Sequence, residues 1–337
     1  MSYDALLVVS FGGPEGPEDV RPFLRNVLRG RDVPDARVEE VARQYDHFGG
    51  VSPLNAHNRE LVAAIDADLS DHGVRLPVYW GNRNWHPMLT DTVAQMAADG
   101  VGRALAFVTS AYAGYSSCRQ YLDDIEAARS AVGGGAPRID KLRLYFDHPG
   151  FVEPLAECLR SAREEAGRGA PVLFTAHSVP ASMAATSAYQ DQLLTTASLV
   201  AARSGTPLPD WRLVYQSRSG APSVAWLEPD VRTAIGALAA NHEAVVVAPI
   251  GFTSDHMEVL YDLDIQAAQA AADLGMRMVR AGTPGADRRF VAMVRQLVGE
   301  RTGQAASVRR QALSGSVWPD RCPPGCCQAP DSAAGRR

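Results

Sequence analysis

No stretch of this 337-residue chain approaches the roughly 20 consecutive apolar side chains of a membrane-spanning helix, which excludes an integral helical membrane protein. Basic side chains do not dominate either: 33 lysines and arginines face 38 aspartates and glutamates, for a net charge of −5 and a pI near 5.9. A protein that neutralises phosphates needs a basic stripe, and none is available, so no nucleic-acid partner is expected. A complete G-x-G-x-x-G is missing as well. The glycine turn Ser10-Phe11-Gly12-Gly13-Pro14-Glu15-Gly16-Pro17 lacks that spacing, which removes the dinucleotide fingerprint and the expectation of phosphate binding. The N-terminus passes almost directly into strand-like residues 5–9, with no charged segment leading into an apolar one, so the chain reads as cytoplasmic rather than secreted. Cysteine is scarce, at five residues, and the paired C-x-x-C knuckles of a zinc ribbon are absent.

What is present is a rhythm. Short apolar runs at 5–9, 77–80, 104–109 and 142–146 alternate with helical periodicities at 18–28, 58–69, 88–98, 119–129 and 151–165. A second set of strands, at 171–175, 211–215, 244–250 and 277–279, alternates with helices at 189–202, 229–240, 257–274 and 287–301. That alternation predicts βαβ units and parallel sheets. Four strands in each half predict an α/β fold of two Rossmann-like domains, each with a four-stranded parallel sheet flanked by helices. The charged stretch 162–170 marks the boundary, dividing the chain into 1–160, 161–305 and a tail, 306–337, rich in Pro, Gly, Ser and Cys.

Two strands end on chemistry. The first runs Val172-Leu173-Phe174-Thr175-Ala176-His177, and Ser178-Val179-Pro180 then stops it, placing the imidazole at the sheet's edge. The second, at 244–250, leads through Gly251 into Asp255-His256-Met257-Glu258, with Asp262 one helical turn later. Ligands bind at the carboxyl ends of parallel strands. Asp255-x-x-Glu258 also reads as a capping box. That pattern leaves Asp262 unexplained, since like charges four residues apart repel on one helix face. A neutral imidazole and a carboxylate can hold a divalent ion briefly or accept protons. The segment Ser110–Tyr121, with three tyrosines and several hydroxyls, predicts a polar-aromatic wall for a flat, carboxylate-bearing ligand. In the tail, Cys322-Pro323-Pro324-Gly325-Cys326-Cys327 brings three thiols together, and Cys158 or Cys118 could supply a fourth ligand to an iron–sulfur cluster or zinc.

Taken together, the segments resemble the ferrochelatases, most closely the bacterial coproporphyrin III ferrochelatases that carry an iron–sulfur cluster. The resemblance covers essentially the whole chain. It runs through Ser10-Phe11-Gly12-Gly13-Pro14, Tyr45, Gly49-Gly50-Val51-Ser52-Pro53-Leu54, Thr175-Ala176-His177-Ser178, Trp226-Leu227-Glu228-Pro229-Asp230 and the Gly251–Asp262 block. It implies a porphyrin cleft between the domains and ferrous iron as substrate, with His177 and Glu258 as the catalytic, iron-handling pair and Asp262 continuing a path for protons or metal. Ser52, Tyr121, Tyr45, Phe11 and Arg29 fall at substrate-binding positions, and Cys158, Cys322, Cys326 and Cys327 at the ligands of a [2Fe–2S] cluster. Phe11 stands where many relatives place a tyrosine, Gln44 where some place an arginine, and Leu28 replaces one of an arginine pair. Product binding must therefore use another ligand or the macrocycle itself. The implied activity is iron insertion into coproporphyrin III in haem biosynthesis, by a monomer in transient contact with neighbouring haem-pathway enzymes. A protoporphyrin IX ferrochelatase and a non-catalytic haem or tetrapyrrole carrier are the alternatives.

Overall fold

The computed structural model describes residues 2–30, 33–220, 223–303, 310–323 and 325–329. Among the described residues eight strands are formed: β1 Ala5–Ser10, β2 Val78–Asn82, β3 Arg103–Val108, β4 Arg138–Lys141, β5 Val172–His177, β6 Trp211–Gln216, β7 Ala244–Ala248 and β8 Arg277–Arg280. They make two four-stranded sheets ordered β2-β1-β3-β4 and β6-β5-β7-β8, and every pairing is parallel. The helices of the first half are α1 Pro17–Val27, α2 Asp35–Asp46, α3 Leu54–Asp71, α4 Leu89–Ala98, α5 Gln120–Val132 and α6 Pro149–Ala166. Those of the second are α7 Ala181–Ala185, α8 Tyr189–Ser204, α9 Val231–Leu238, α10 Met257–Val259, α11 Ala268–Asp273 and α12 Arg288–Thr302. Wider π-type turns, Tyr115–Arg119 and Leu260–Ala267, lead into α5 and join α10 to α11.

The strands are continuous apolar runs because both faces are covered, as parallel sheets require. Along β1 the period of two is visible in the packing. Ala5, Leu7 and Val9 meet α4 and α5, whereas Leu6 and Val8 point into a core shared with the second sheet. That shared core takes Phe107 and Tyr145 from one half and Val172, Phe174 and Phe290 from the other, with Phe107 and Phe290 at 6.0 Å. Helix α12 returns to lie on α3 and α6, and Arg295 reaches Asp68 at 2.7 Å. The expected boundary after residue 160 falls inside α6, which runs unbroken from Pro149 to Ala166.

One expected strand is displaced. The fourth ladder is Arg138–Lys141, and residues 142–146 leave it after one further bond, Leu142 N–H to the Ala106 carbonyl at 2.9 Å. Their apolarity answers to burial in the shared core rather than to sheet pairing. The tail docks on this segment. Leu313 N–H donates to the Asp147 carbonyl (2.9 Å), Trp318 meets Phe146 edge-on (5.9 Å), and Arg143 and Glu300 form a double hydrogen bond while both side chains are 1% exposed. No described helix is long and apolar enough to cross a membrane.

Candidate active site

Strand β5 delivers His177 to the carboxyl end of the second sheet, in register with Gln216 of β6. The chain from β7 crosses beneath it at Gly251, where a Cβ would lie 2.6 Å from the Ala176 backbone, so only glycine lets the loop pass this close. The loop then starts α10, presenting Glu258. His256, not Asp255, caps that helix: its Nδ1 accepts from the Glu258 N–H at 3.2 Å, and its ring lies edge-on to Phe252. The expected Asp255 capping box is therefore corrected. Asp255 turns instead to Arg280 (2.9 Å) and Thr283 (3.1 Å).

His177 Nε2 faces Glu258 Oε2 at 3.6 Å. The side chains are 33% and 53% exposed, so the pair reaches solvent rather than the core. His177 Nδ1 bonds the Ser178 carbonyl. A carbonyl only accepts, so Nδ1 carries a proton, and Nε2 is the ring nitrogen that faces the Glu258 carboxylate and gains or loses its proton there. Desolvation works against an imidazolium here, but the Glu258 charge, the Ser178 carbonyl and Asp262 outweigh it and raise the His177 pKa. Desolvation likewise works to raise Glu258, yet the His177 and His256 rings hold its carboxyl down to about 2. Asp262 behaves oppositely: burial, with the Glu258 charge added, pushes it up to about 6 although the Ser217 hydroxyl donates to it. Gln216 Nε2 donates to the Glu258 carbonyl at 3.2 Å. His177, Glu258 and Asp262 thus form one linked group.

The first half supplies the facing wall. Burial, with the Glu258 charge added, raises the Tyr45 phenol, so α2 lies within electrostatic reach of the acid. Tyr45 belongs to an aromatic set with Phe23 (5.9 Å), and Phe11 reaches the same Phe23 at 6.2 Å. Phe11 is 37% exposed. Arg83 is a residue that sequence reasoning missed. Its guanidinium lies 4.4 Å from the centre of the Tyr121 ring and 5.8 Å from that of Phe11, paired with Asp124. Tyr121 is buried beneath it. The signal for Arg83 was its place just past the end of β2 on the same sheet edge. Ser52 is buried against Gly13, where a Cβ would come within 2.7 Å of the Ser52 Cβ. Arg29 sits on the exposed turn after α1, where its guanidinium donates to Asn26 Oδ1 at 2.9 Å.

Burial, Cys322 and Cys327 raise the Cys326 thiol; burial and Cys118 raise Cys327; burial is the largest influence on Cys118, with Cys322 among its neighbours. Cys158 answers instead to burial, Asp287, Glu157 and Arg289, beside Gly282. Cys118 thus lies near the tail's thiols, and Cys158, with Cys118, Cys326 and Cys327, packs in or against the same core. Among the described residues no group of three or more His, Cys, Asp or Glu is arranged to hold a metal ion.

Two parallel sheets sharing a core, with an imidazole and a carboxylate at the mouth of one and an aromatic wall opposite, define a chelatase-type α/β protein. In overall shape the chain is similar to "SirB from Bacillus subtilis with Fe3+" (TM-score 0.51, 11% identity, 90% of this chain and 98% of that one), a likeness of fold alone. Residues 3–302 match the ferrochelatase family, and the chain belongs to it. It is 51% identical to the coproporphyrin III ferrochelatase of Nocardia farcinica over 100% of both chains. Identity is 51% to that of Streptomyces griseus (98% of this chain, 96% of the relative) and 50% to the ferrochelatase of Rhodopirellula baltica (99% and 97%).

Proposed function

We infer that this ferrochelatase inserts ferrous iron into coproporphyrin III, releasing the iron complex and two protons. The observation that carries the reading is the His177–Glu258 pair, an imidazole Nε2 and a low-pKa carboxylate facing each other at 3.6 Å with both side chains partly open to solvent. The relatives named for coproporphyrin III supply the choice of macrocycle. His177 accepts the pyrrole protons through Nε2, Glu258 stays anionic to hold iron briefly, and Asp262 takes the proton onward. Two ligands suffice to present the iron and are too few to keep it from the four macrocycle nitrogens. Phe11 and Tyr45 offer apolar ring surface to the porphyrin, with Ser52, Tyr121 and Arg29 as polar contacts at its edge.

The test is anaerobic turnover, followed as loss of free-base porphyrin fluorescence on adding Fe²⁺. Coproporphyrin III is expected to be consumed in preference to protoporphyrin IX, and His177→Ala to abolish turnover while the protein still binds porphyrin. Full activity in that variant would overturn the assigned base.

For the tail, a [2Fe–2S] cluster is proposed on Cys118, Cys322, Cys326 and Cys327, with Cys158 outside the set. The thiolate donors suit such a cluster, and their grouping around Cys118 supports this choice of ligands. Purified protein should be brown and hold iron and sulfide. Cys118→Ser should bleach it and Cys158→Ser should not; the reverse result restores Cys158. The reducing setting that keeps these thiols available is consistent with a cytoplasmic protein.

A further inference from the structure

We propose that Arg280 is a positioning residue for iron insertion: its one guanidinium clamps both ends of the segment that carries Glu258 and Asp262. Arg280 is the last residue of β8, paired in register with Val247 of β7 and through it level with Leu173 of β5, four residues before His177, so its long side chain extends toward the carboxyl ends of the strands to reach the segment after β7. Nη1 and Nη2 donate to the two oxygens of Asp255 at 3.1 and 2.9 Å, and Nε donates to Asp264 Oδ1 at 2.6 Å. Thr283 Oγ1 adds a bond to Asp255 at 3.1 Å. The side chains of Arg280, Asp255 and Asp264 are 17%, 20% and 35% exposed, so the bonds are partly shielded from water.

The geometry makes this more than a surface ion pair. Asp255 immediately precedes His256, whose ring caps the turn of Glu258, and Asp264 lies two residues past Asp262 on the π-type turn. Four carboxylates therefore fall within ten residues, Asp255 to Asp264, and their mutual repulsion pushes the segment apart. Arg280 engages the outer two and fixes the distance between them, leaving the inner two, Glu258 and Asp262, directed at the cleft. A planar fork with fixed donor directions can serve two carboxylates at once, whereas a lysine ammonium is a single point charge on a flexible stem. Displacing a reacting group by about 1 Å can cost on the order of 100-fold in rate.

This inference rests on Glu258 as the iron-handling acid, and the experiment separates the two. Arg280→Ala, Arg280→Lys, Asp264→Asn and Glu258→Gln are compared by steady-state kinetics in both substrates, by porphyrin binding without iron, and by thermal melting. In Arg280→Ala, kcat should fall at least tenfold and the KM for Fe²⁺ should rise, while porphyrin affinity stays within twofold. Added guanidinium should restore part of kcat, which relief of a merely structural defect would not reproduce. Arg280→Lys and Asp264→Asn, which keep part of the clamp, should fall between wild type and Arg280→Ala, and they carry the test if the alanine variant does not fold. A folded Arg280→Ala with unchanged kcat, or one losing porphyrin affinity in proportion to kcat, overturns the proposal. An active Glu258→Gln overturns instead the reading on which it rests.

Discussion

Asp262→Asn should make this protein more stable at neutral pH while impairing it as an enzyme. Burial and the neighbouring Glu258 charge push the Asp262 carboxyl from 3.8 up to about 6, a rise of about 2 pH units. Each unit corresponds to about 1.4 kcal/mol, so ionising this group costs the native state about 3 kcal/mol more than the unfolded chain. The sign is that of a raised acid. The native state holds the proton more tightly, so the contribution is fully favourable below pH ~4, the unfolded value, and is lost as pH rises through about 6.

Asparagine is isosteric, can still accept from Ser217, and never ionises. Its advantage should therefore be under about 1 kcal/mol at pH 4 and about 2–3 kcal/mol at pH 7.5, most of the change falling between pH 4 and 6. Urea unfolding of both proteins at the two pH values reads the difference directly. Turnover at pH 7.5 should fall in the same variant, because an amide cannot relay the proton. A stability gain equal at both pH values, or a variant less stable at pH 7.5, would show that Asp262 is not ionised at a cost and would refute the reasoning.

Glu300→Gln breaks a pair buried to 1% exposure on each side chain and removes one of the two acidic partners of Arg310, the other being Asp320. Leaving Arg143 unpaired should cost about 3–5 kcal/mol in denaturant unfolding, and a loss below about 1 kcal/mol would mean water already reaches the pair. Gly251→Ala places a methyl 2.6 Å from the Ala176 backbone, one residue before His177. It should cost about 1–3 kcal/mol and lower kcat with little change in the KM for porphyrin; a fully active, equally stable variant would show that the loop yields freely. Gly13→Ala meets Ser52 at 2.7 Å instead, so its effect should fall on the KM for porphyrin rather than on kcat.

The parts of the fold legible in the sequence are those that burial alone determines. Strand β5 could be read because a strand covered on both faces is apolar throughout, and Ser178-Val179-Pro180 ends it on His177. Residues 142–146 misled for the same reason: apolarity reports burial, and here the burial is against the shared core and the tail. Helix α2 escaped notice because Ala42 is its only fully buried residue, which leaves no apolar period to detect. Asp255 looked like a cap because its true partner, Arg280, is 25 positions away. Local sequence supplies the residue types at a helix start, but not a distant competitor for one of them. The thiols pose a similar limit. Two candidates, Cys118 and Cys158, could complete the tail's set on chemistry alone, and both pack in or against the same core, so local sequence does not choose between them.

The two acids on the cleft illustrate how one short segment divides its labour. Glu258 and Asp262 are carboxylates one helical turn apart, yet their proton affinities are driven in opposite directions, to about 2 and about 6. The cause is position: Glu258 lies against two imidazoles, whereas Asp262 is raised first by burial and then by the repulsion of the Glu258 charge. An acid at about 2 is always anionic and suits a cation; one at about 6 exchanges protons near neutrality. Binding Fe²⁺ at Glu258 would offset the charge that raises Asp262, so Asp262 should hold its proton less tightly while metal is present and regain affinity once iron enters the ring. Proton release to solvent would then be timed to metal occupancy. Glu258→Gln should lower the Asp262 pKa in the metal-free protein, read as a carboxyl titration by infrared difference spectroscopy. An Asp262 titration unmoved by that substitution would break the link between the two acids.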